Sequence, residues 1–294
     1  MTVGAIGCLA PRAPWTASLA WVASRAVALI HADGAAVAII GDVRDMDARA
    51  ILLDGGFADF RAAALEASAG GGAAASVRLD EAALTLSAGG VDPLAVPADG
   101  ATRWDPRPGL AKAAASLAAD WDRAALAAAA DAIAATVAEG PADEVSVHGG
   151  GPFAAAFARL RGDESFPANI VGFGPGSTPA GDDWLAGYLA AGDLLAGGPG
   201  EAWPELRAAL ATALGRTTPA GRALLAGALA GAPPAYLADL AQELVGAGRS
   251  LGGTAAGLRG AVRAALGKGA SSGRDALAGF VEALRHRPKY GDAL

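Results

Sequence analysis

Short apolar runs separated by turn formers fill the first third of the chain. Arg25–His31 and Ala35–Ile40 flank Asp33-Gly34, a dipeptide suited to the tight turn of a β-hairpin. Ser76–Leu79 and Leu84–Ser87 make a second such pair around Asp80-Glu81. Between the pairs, Phe57, Phe60, Ala64 and Leu65 recur at helical spacing, which predicts a short helix over Phe57–Ser68. The Gly/Ala tract Ala69–Ala75 reads as a loop. The moderately apolar N-terminal residues lack a basic leader and are interrupted by Pro14, Thr16 and Ser18, so they are expected to enter the fold as a strand.

After Trp104-Asp105-Pro106 the pattern changes to a helical one. Leu110–Ala138 is alanine-rich, carries charges at Lys112, Asp120, Asp122, Arg123 and Asp131, and is stopped by Pro141. Two short apolar runs follow, Glu144–Val147 and Asn169–Phe173, each leading into a glycine-rich loop and then a helix, and a pair of strands is one reading of them. From Asp182 onward helix follows helix, with Gly and Pro between. The expected architecture is α+β: a small mixed β domain over residues 1–105 and a mainly helical domain over 106–294.

Composition narrows the function. Hydrophobic residues make up 53% but aromatics only 5%, so the apolar content is largely alanine. The longest uncharged stretches, Phe166–Gly181 and Ala223–Ala238, are broken by Pro, Gly, Ser and Thr or by Pro233-Pro234, so neither is expected to cross a membrane. A net charge of −7 gives no electrostatic footprint for nucleic acid or an anionic membrane surface. The single cysteine, Cys8, cannot form an intramolecular disulfide, and the cytoplasm is the expected compartment.

The segment Phe173–Gly187 concentrates the candidate chemistry. Gly174, Gly176 and Gly181 allow close approach to backbone, Ser177 and Thr178 add hydroxyls, and the following helix start suits an anion. Asp182 and Asp183 either cap that helix or serve a ligand, since one Asp suffices for a cap. The frame recurs: Thr178–Gly187 can be laid over Thr218–Gly227, and Gly273–Gly279 repeats Gly-x-x-x-Leu-Ala-Gly with Asp275 in the place of Asp183. In so Ala/Gly-rich a chain, coincidence is the competing explanation. If the recurrence is real, three helix starts converge on one anion, with Thr217, Thr218, Ser271, Ser272 and Gly273 at hand. Thr217-Thr218-Pro219 also reads as an ordinary N-cap with proline at the first helical position. Arg216, Arg222 and Arg274 lie beside the three loops as anion clamps or as a solvated face. His148, next to a glycine turn, is a weaker candidate, and no His/Cys spacing suggests zinc.

Gly174-Pro175-Gly176-Ser177-Thr178-Pro179-Ala180-Gly181-Asp182-Asp183, then Thr217-Thr218-Pro219, then Ser271-Ser272-Gly273-Arg274-Asp275, resembles a bacterial family formerly of unknown function. One branch of that family is a subunit of oxamate carbamoyltransferase from anaerobic allantoin breakdown. The family's usual form is close to Gly-Pro-Gly-Leu-Thr-Pro-Ser-Gly-Asp-Asp, so Ser177 replaces a leucine and Ala180 a serine. Its later Thr-Ser-Gly is Ser271-Ser272-Gly273 here. The resemblance implies transfer of a carbamoyl group between oxamate and phosphate, with other protein subunits as partners and oxamate or carbamoyl phosphate as ligands. The Ser-Thr-Arg-Thr phosphate loop of ordinary carbamoyltransferases is absent. On this reading the loop amides with Ser177, Thr178 and the hydroxyls above hold the anion. Asp182 or Asp183 receives the carbamoyl NH2 or holds a divalent metal, and Asp275 completes the pocket. The competing class is a non-catalytic small-anion-binding or scaffolding subunit.

Overall fold

In the computed structural model of the chain, the described residues are 1–69, 75–89, 91–139, 146–147, 151–163, 166–248 and 255–285. They form two compact units, Met1–Asp105 and Pro106–Leu294. The fold is α+β, strands in the first unit and helices in the second.

The first unit is a curled nine-stranded sheet among its described residues. Its strands are β1 (Thr2–Gly7), β2 (Trp15–Val22), β3 (Ala26–Ile30), β4 (Ala36–Ile40), β5 (Ala50–Asp54), β6 (Ser76–Leu79), β7 (Ala83–Ala88), β8 (Val91–Pro97) and β9 (Thr102–Trp104). Their order is β8-β7-β6-β2-β3-β4-β5-β1-β9, with β4/β5 and β1/β9 parallel and the other pairs antiparallel. Both expected hairpins are present, and Gly34 takes the positive φ of 77° that the first turn needs. Helix α1 (Phe57–Ala69) lays Phe60 and Ala64 on a core of Val27, Leu29, Ile39, Ile51 and Leu53. The N-terminal residues do form a strand. Most of the expected Gly/Ala loop lies outside the described residues.

The second unit begins with α2 (Arg107–Asp120) and α3 (Arg123–Ala138). One helix was expected across this stretch. It is broken at Trp121-Asp122, where Asp122 leaves the helix, turns extended and accepts a hydrogen bond from the Ala125 amide at 2.8 Å as the cap of α3. Then come α4 (Pro152–Arg161), α5 (Ala180–Ala196), α6 (Pro204–Ala213), α7 (Pro219–Leu229), α8 (Ala235–Gly248), α9 (Ala255–Leu266) and α10 (Ser272–Arg285). The alternative of a strand over Asn169–Phe173 is not realised: Ala168–Ile170 is a turn of 3-10 helix, and Gly172 at φ 77° bends the chain away from an extended path. Of its expected partner Glu144–Val147, Ser146 and Val147 lie in a turn and the rest falls outside the described residues. No helix among the described residues is long and apolar enough to cross a membrane.

Helix α5 is the axis of this unit. Every residue from Ala180 to Leu194 is buried, which a helix manages only when neighbours surround it. Its closest partner is α10. A Cβ at Gly187 would collide with the Ala276 carbonyl, and a Cβ at Gly279 would collide with the Trp184 carbonyl. The two helices therefore cross with backbone against backbone, each supplying a glycine to the other. Trp184 stacks on Tyr188 and Tyr188 on Trp203, with ring centroids 4.7 and 4.4 Å apart. Arg207 of α6 pairs with the buried Asp193 of α5 and donates to the Ala228 and Leu229 carbonyls, tying the end of α7 to α5.

Alanine at either crossing glycine overfills the contact. Gly187→Ala and Gly279→Ala are each expected to destabilise by about 1–3 kcal/mol or more, although alanine is the better helix former by about 1 kcal/mol. Gly260 of α9 has open space where its Cβ would stand, so Gly260→Ala is expected to stabilise slightly. Urea melts of the three variants check both signs.

Candidate functional site

Three stretches that are remote in sequence meet at the starts of α5, α7 and α10. The Thr178 and Ser272 hydroxyls lie 3.0 Å apart. Thr218 donates its hydroxyl to the Ser177 carbonyl, and Thr217 donates to Asp182. Thr218 also caps α7, its Oγ1 accepting from the Gly221 amide at 2.9 Å with Pro219 as the first helical residue. The cap expected there is present, and the same hydroxyl reaches the neighbouring loop.

The aspartates do not cap α5, contrary to the simpler expectation. Pro179 occupies the cap position and no side chain bonds the first turn. The amides of Asp182 and Asp183 donate to Pro179 O, and that of Gly181 to Phe173 O. These amides are spent, and so is that of Gly273, which donates to Lys268 O. Loop amides at these four positions are therefore not donors to an anion. Gly174 and Gly176 hold φ of 109° and 98°, and the Pro175–Ser177 stretch between Gly174 and Thr178 is exposed.

Asp182, Asp183 and Asp275 are buried at 0, 2 and 0% exposure. Asp182 accepts from the Gly172 amide at 2.8 Å and from Thr217. Asp183 is bonded by the Ser272 and Thr178 hydroxyls. Asp275 accepts from the Ser146 hydroxyl and the Val147 amide, both at 2.8 Å. Burial lifts Asp182 to about 6, against the lowering effect of its two hydrogen bonds. Burial, with Asp275 and Asp182 adding like charge, pushes Asp183 well above the usual carboxylate range.

Each of the three arginines donates to a backbone carbonyl. Arg216 donates to Ala168 O at 2.7 Å, Arg222 to Leu214 O at 3.3 Å and Arg274 to Val137 O at 3.2 Å. They stitch neighbouring segments together, and none is seen clamping the cluster. Ser271 gives its carbonyl to the Asp275 amide at 2.9 Å as part of the start of α10. Among the described residues, no group of three His, Cys, Asp or Glu is arranged to hold a metal ion. The divalent-metal alternative for Asp182 and Asp183 thus lacks a third ligand of that kind among them. His148 lies outside the described residues.

Ser146, Val147, Gly172 and Gly221 were missed. Gly172 carries the amide that holds Asp182, and its positive φ with the Arg216 carbonyl against it admits no side chain. A Cβ at Gly221 would collide with Asp182 Oδ2 and Thr217 Oγ1. Gly221 was visible only as a member of the repeated frame. Ser146-Val147 had no signal beyond their place before the His148 glycine turn.

The cluster defines a small polar site of hydroxyls over buried carboxyls, built where helix starts meet in an α+β protein. Residues 170–284, which contain all three of those starts, match the family model of the oxamate carbamoyltransferase subunit AllH. The match supports assignment of the chain to that family, in line with the resemblance carried by its loop motifs. No curated protein and no solved structure matches the chain.

Because folding raises the Asp182 carboxyl from 3.8 to about 6, the folded chain keeps a proton there that the unfolded chain has already lost. Its contribution to stability is complete below about pH 4 and is lost as pH rises through about 6. Asp182→Asn, which still accepts from Gly172 and meets Thr217, is expected to flatten that part of the decline in a series of thermal melts from pH 4 to 7.

Proposed function

We propose that the chain is a subunit of a carbamoyltransferase that acts on oxamate, or a related small carboxylate or amide, with carbamoyl phosphate. The anion is held where the first turns of α5, α7 and α10 meet. One observation carries this reading: Thr178, Thr217, Thr218 and Ser272 come from three separate loops, all inside the family-matched segment, and hydrogen bonds tie those loops together, Thr178 with Ser272, Thr217 with Asp182 and Thr218 with the Ser177 carbonyl. Three helix starts turn their positive ends to that point, which favours an oxyanion. With several first-turn amides already used and the Thr217 hydrogen given to Asp182, recognition falls to the Thr178–Ser272 pair, one of whose hydroxyls turns from the other to the ligand.

Asp182 acts on Thr217 rather than on the ligand, since both its oxygens are engaged, one by Gly172 and one by Thr217 itself. It fixes the direction of that hydroxyl. Carbamoyl transfer is a reaction in which holding two anions in register and steadying the developing oxyanion supply most of the acceleration. The family description as a subunit supports further protein chains as partners. A cytoplasmic setting accords with the single cysteine, Cys8. The three buried carboxyls of the cluster, which bring no positive charge to an anion, favour the second reading, a non-catalytic small-anion-binding or scaffolding subunit.

The double variant Thr178→Val, Ser272→Ala separates the two. Assembled with its partner subunits, it is expected to lose at least about tenfold in carbamoylation of oxamate by carbamoyl phosphate, with a melting temperature within a few degrees of the parent. Unchanged transfer by an intact assembly would overturn the catalytic site and leave the scaffolding reading.

A further inference from the structure

The Asp183 carboxyl is satisfied on one side only. The Thr178 and Ser272 hydroxyls bond it, while Oδ2 is buried with no hydrogen-bond partner among the described residues. The residue is only 2% exposed, and a polar atom left so deep without a partner is unfavourable unless something else comes to meet it. The charged groups that face it are Asp182 on its own helix and Asp275 on α10, both carboxyls. No basic side chain of the described residues pairs with it.

We infer that Asp183 serves the site as a neutral acid: the Thr178–Ser272 hydroxyl pair bonds one side of the carboxyl, and the Oδ2–H donates to an oxygen of a bound small oxyanion, carboxylate or phosphate. This rests on the anion site proposed above. An ionised carboxylate here would repel that ligand and stand between two more carboxyls. A neutral acid instead supplies a donor at a point where the charged groups acting on it are two other carboxyls. Burial acts in the same sense on the carboxyl, and other active sites keep a carboxylic acid neutral in order to donate. The exposed Pro175–Ser177 stretch leads directly into Thr178, one of the two residues that bond the Asp183 carboxyl.

The test uses the full chain, carboxyl NMR with 13C-labelled aspartate, and calorimetric titration near pH 7 with oxamate and, separately, inorganic phosphate. One resonance is expected at the position of a protonated acid at pH 7 and is absent from Asp183→Asn. Asp183→Ala is expected to bind the preferred anion about tenfold more weakly than the parent. Asp183→Asn presents the same acceptor and donor pair and is expected to bind clearly more tightly than Asp183→Ala. Which of the two anions binds tells carboxylate from phosphate. An ionised Asp183 resonance, or an Asn variant no better than the Ala variant, overturns the inference while leaving the anion site standing. Failure of the parent chain to bind either anion overturns the site itself, and the inference with it. Where Asp183→Ala does not fold, the resonance and the Asn variant decide.

Discussion

The helical unit depends on the approach of α5 to α10. Two helices usually pack with side chains interleaved and axes 8–10 Å apart. Here Gly187 lies on the Ala276 carbonyl and Gly279 on the Trp184 carbonyl, with no room for a Cβ on either. This contact sets how far apart the two helix starts lie one turn away. Asp183 and Asp275 precede Trp184 and Ala276 by one residue, so closing the backbones also brings two carboxyls together. Gly181 and Gly273 extend the principle, since a Cβ on the first would strike the Ile170 carbonyl and one on the second the Ala265 carbonyl. The glycines of the helix starts serve packing first, and the polar cluster follows from where that packing holds the ends.

The buried carboxyls are an energetic liability that the fold spreads over several elements. Asp182 is held by the Gly172 amide and Thr217, Asp183 by Thr178 and Ser272, and Asp275 by Ser146 and Val147. Hydroxyl and amide donors soften burial without the desolvation of a second ion. Contrast Asp193, further along the same helix, which does have a buried guanidinium in Arg207. The same helix thus treats its acids in two ways, with an ion pair where the role is to lock α6 and α7, and with neutral donors where the loops meet.

Much of this was legible in the chain's own pattern. Short apolar runs on either side of turn-forming residues located the hairpins, because a tight turn between two such runs leaves them adjacent and free to pair. Composition around residue 105 showed the change from strands to helices. The Gly-Asp-Asp segment drew attention to the right loops, and the repeated Gly-x-x-x-Leu-Ala-Gly found its physical meaning in the reciprocal glycine contacts. What escaped detection depends on partners distant in sequence. Nothing local says that Asp182 turns away from its own helix toward Gly172, or that Arg274 spends itself on Val137. The break at Trp121-Asp122 was hidden for the opposite reason: alanine on both sides is so favourable to helix that one capping Asp did not stand out.

The pairing of α5 with α10 is symmetric in its glycines but not in its chemistry. Gly181-Asp182-Asp183 corresponds to Gly273-Arg274-Asp275, so the two frames share their glycine and second acid but differ in the residue between. On α5 that residue is a buried acid reaching across to the start of α7 through Thr217. On α10 it is an arginine bound to the end of α3 through Val137 O. The middle position therefore decides which third element each helix start recruits. Thr217 and Thr218 enter the cluster because Asp182 and the Ser177 carbonyl are there to receive them. A chain with arginine at both middle positions would keep the crossing and lose the acid that draws α7 toward it. The packing and the inner acid are shared by the two halves of the frame, whereas the tie to α7 belongs to the one place where they differ.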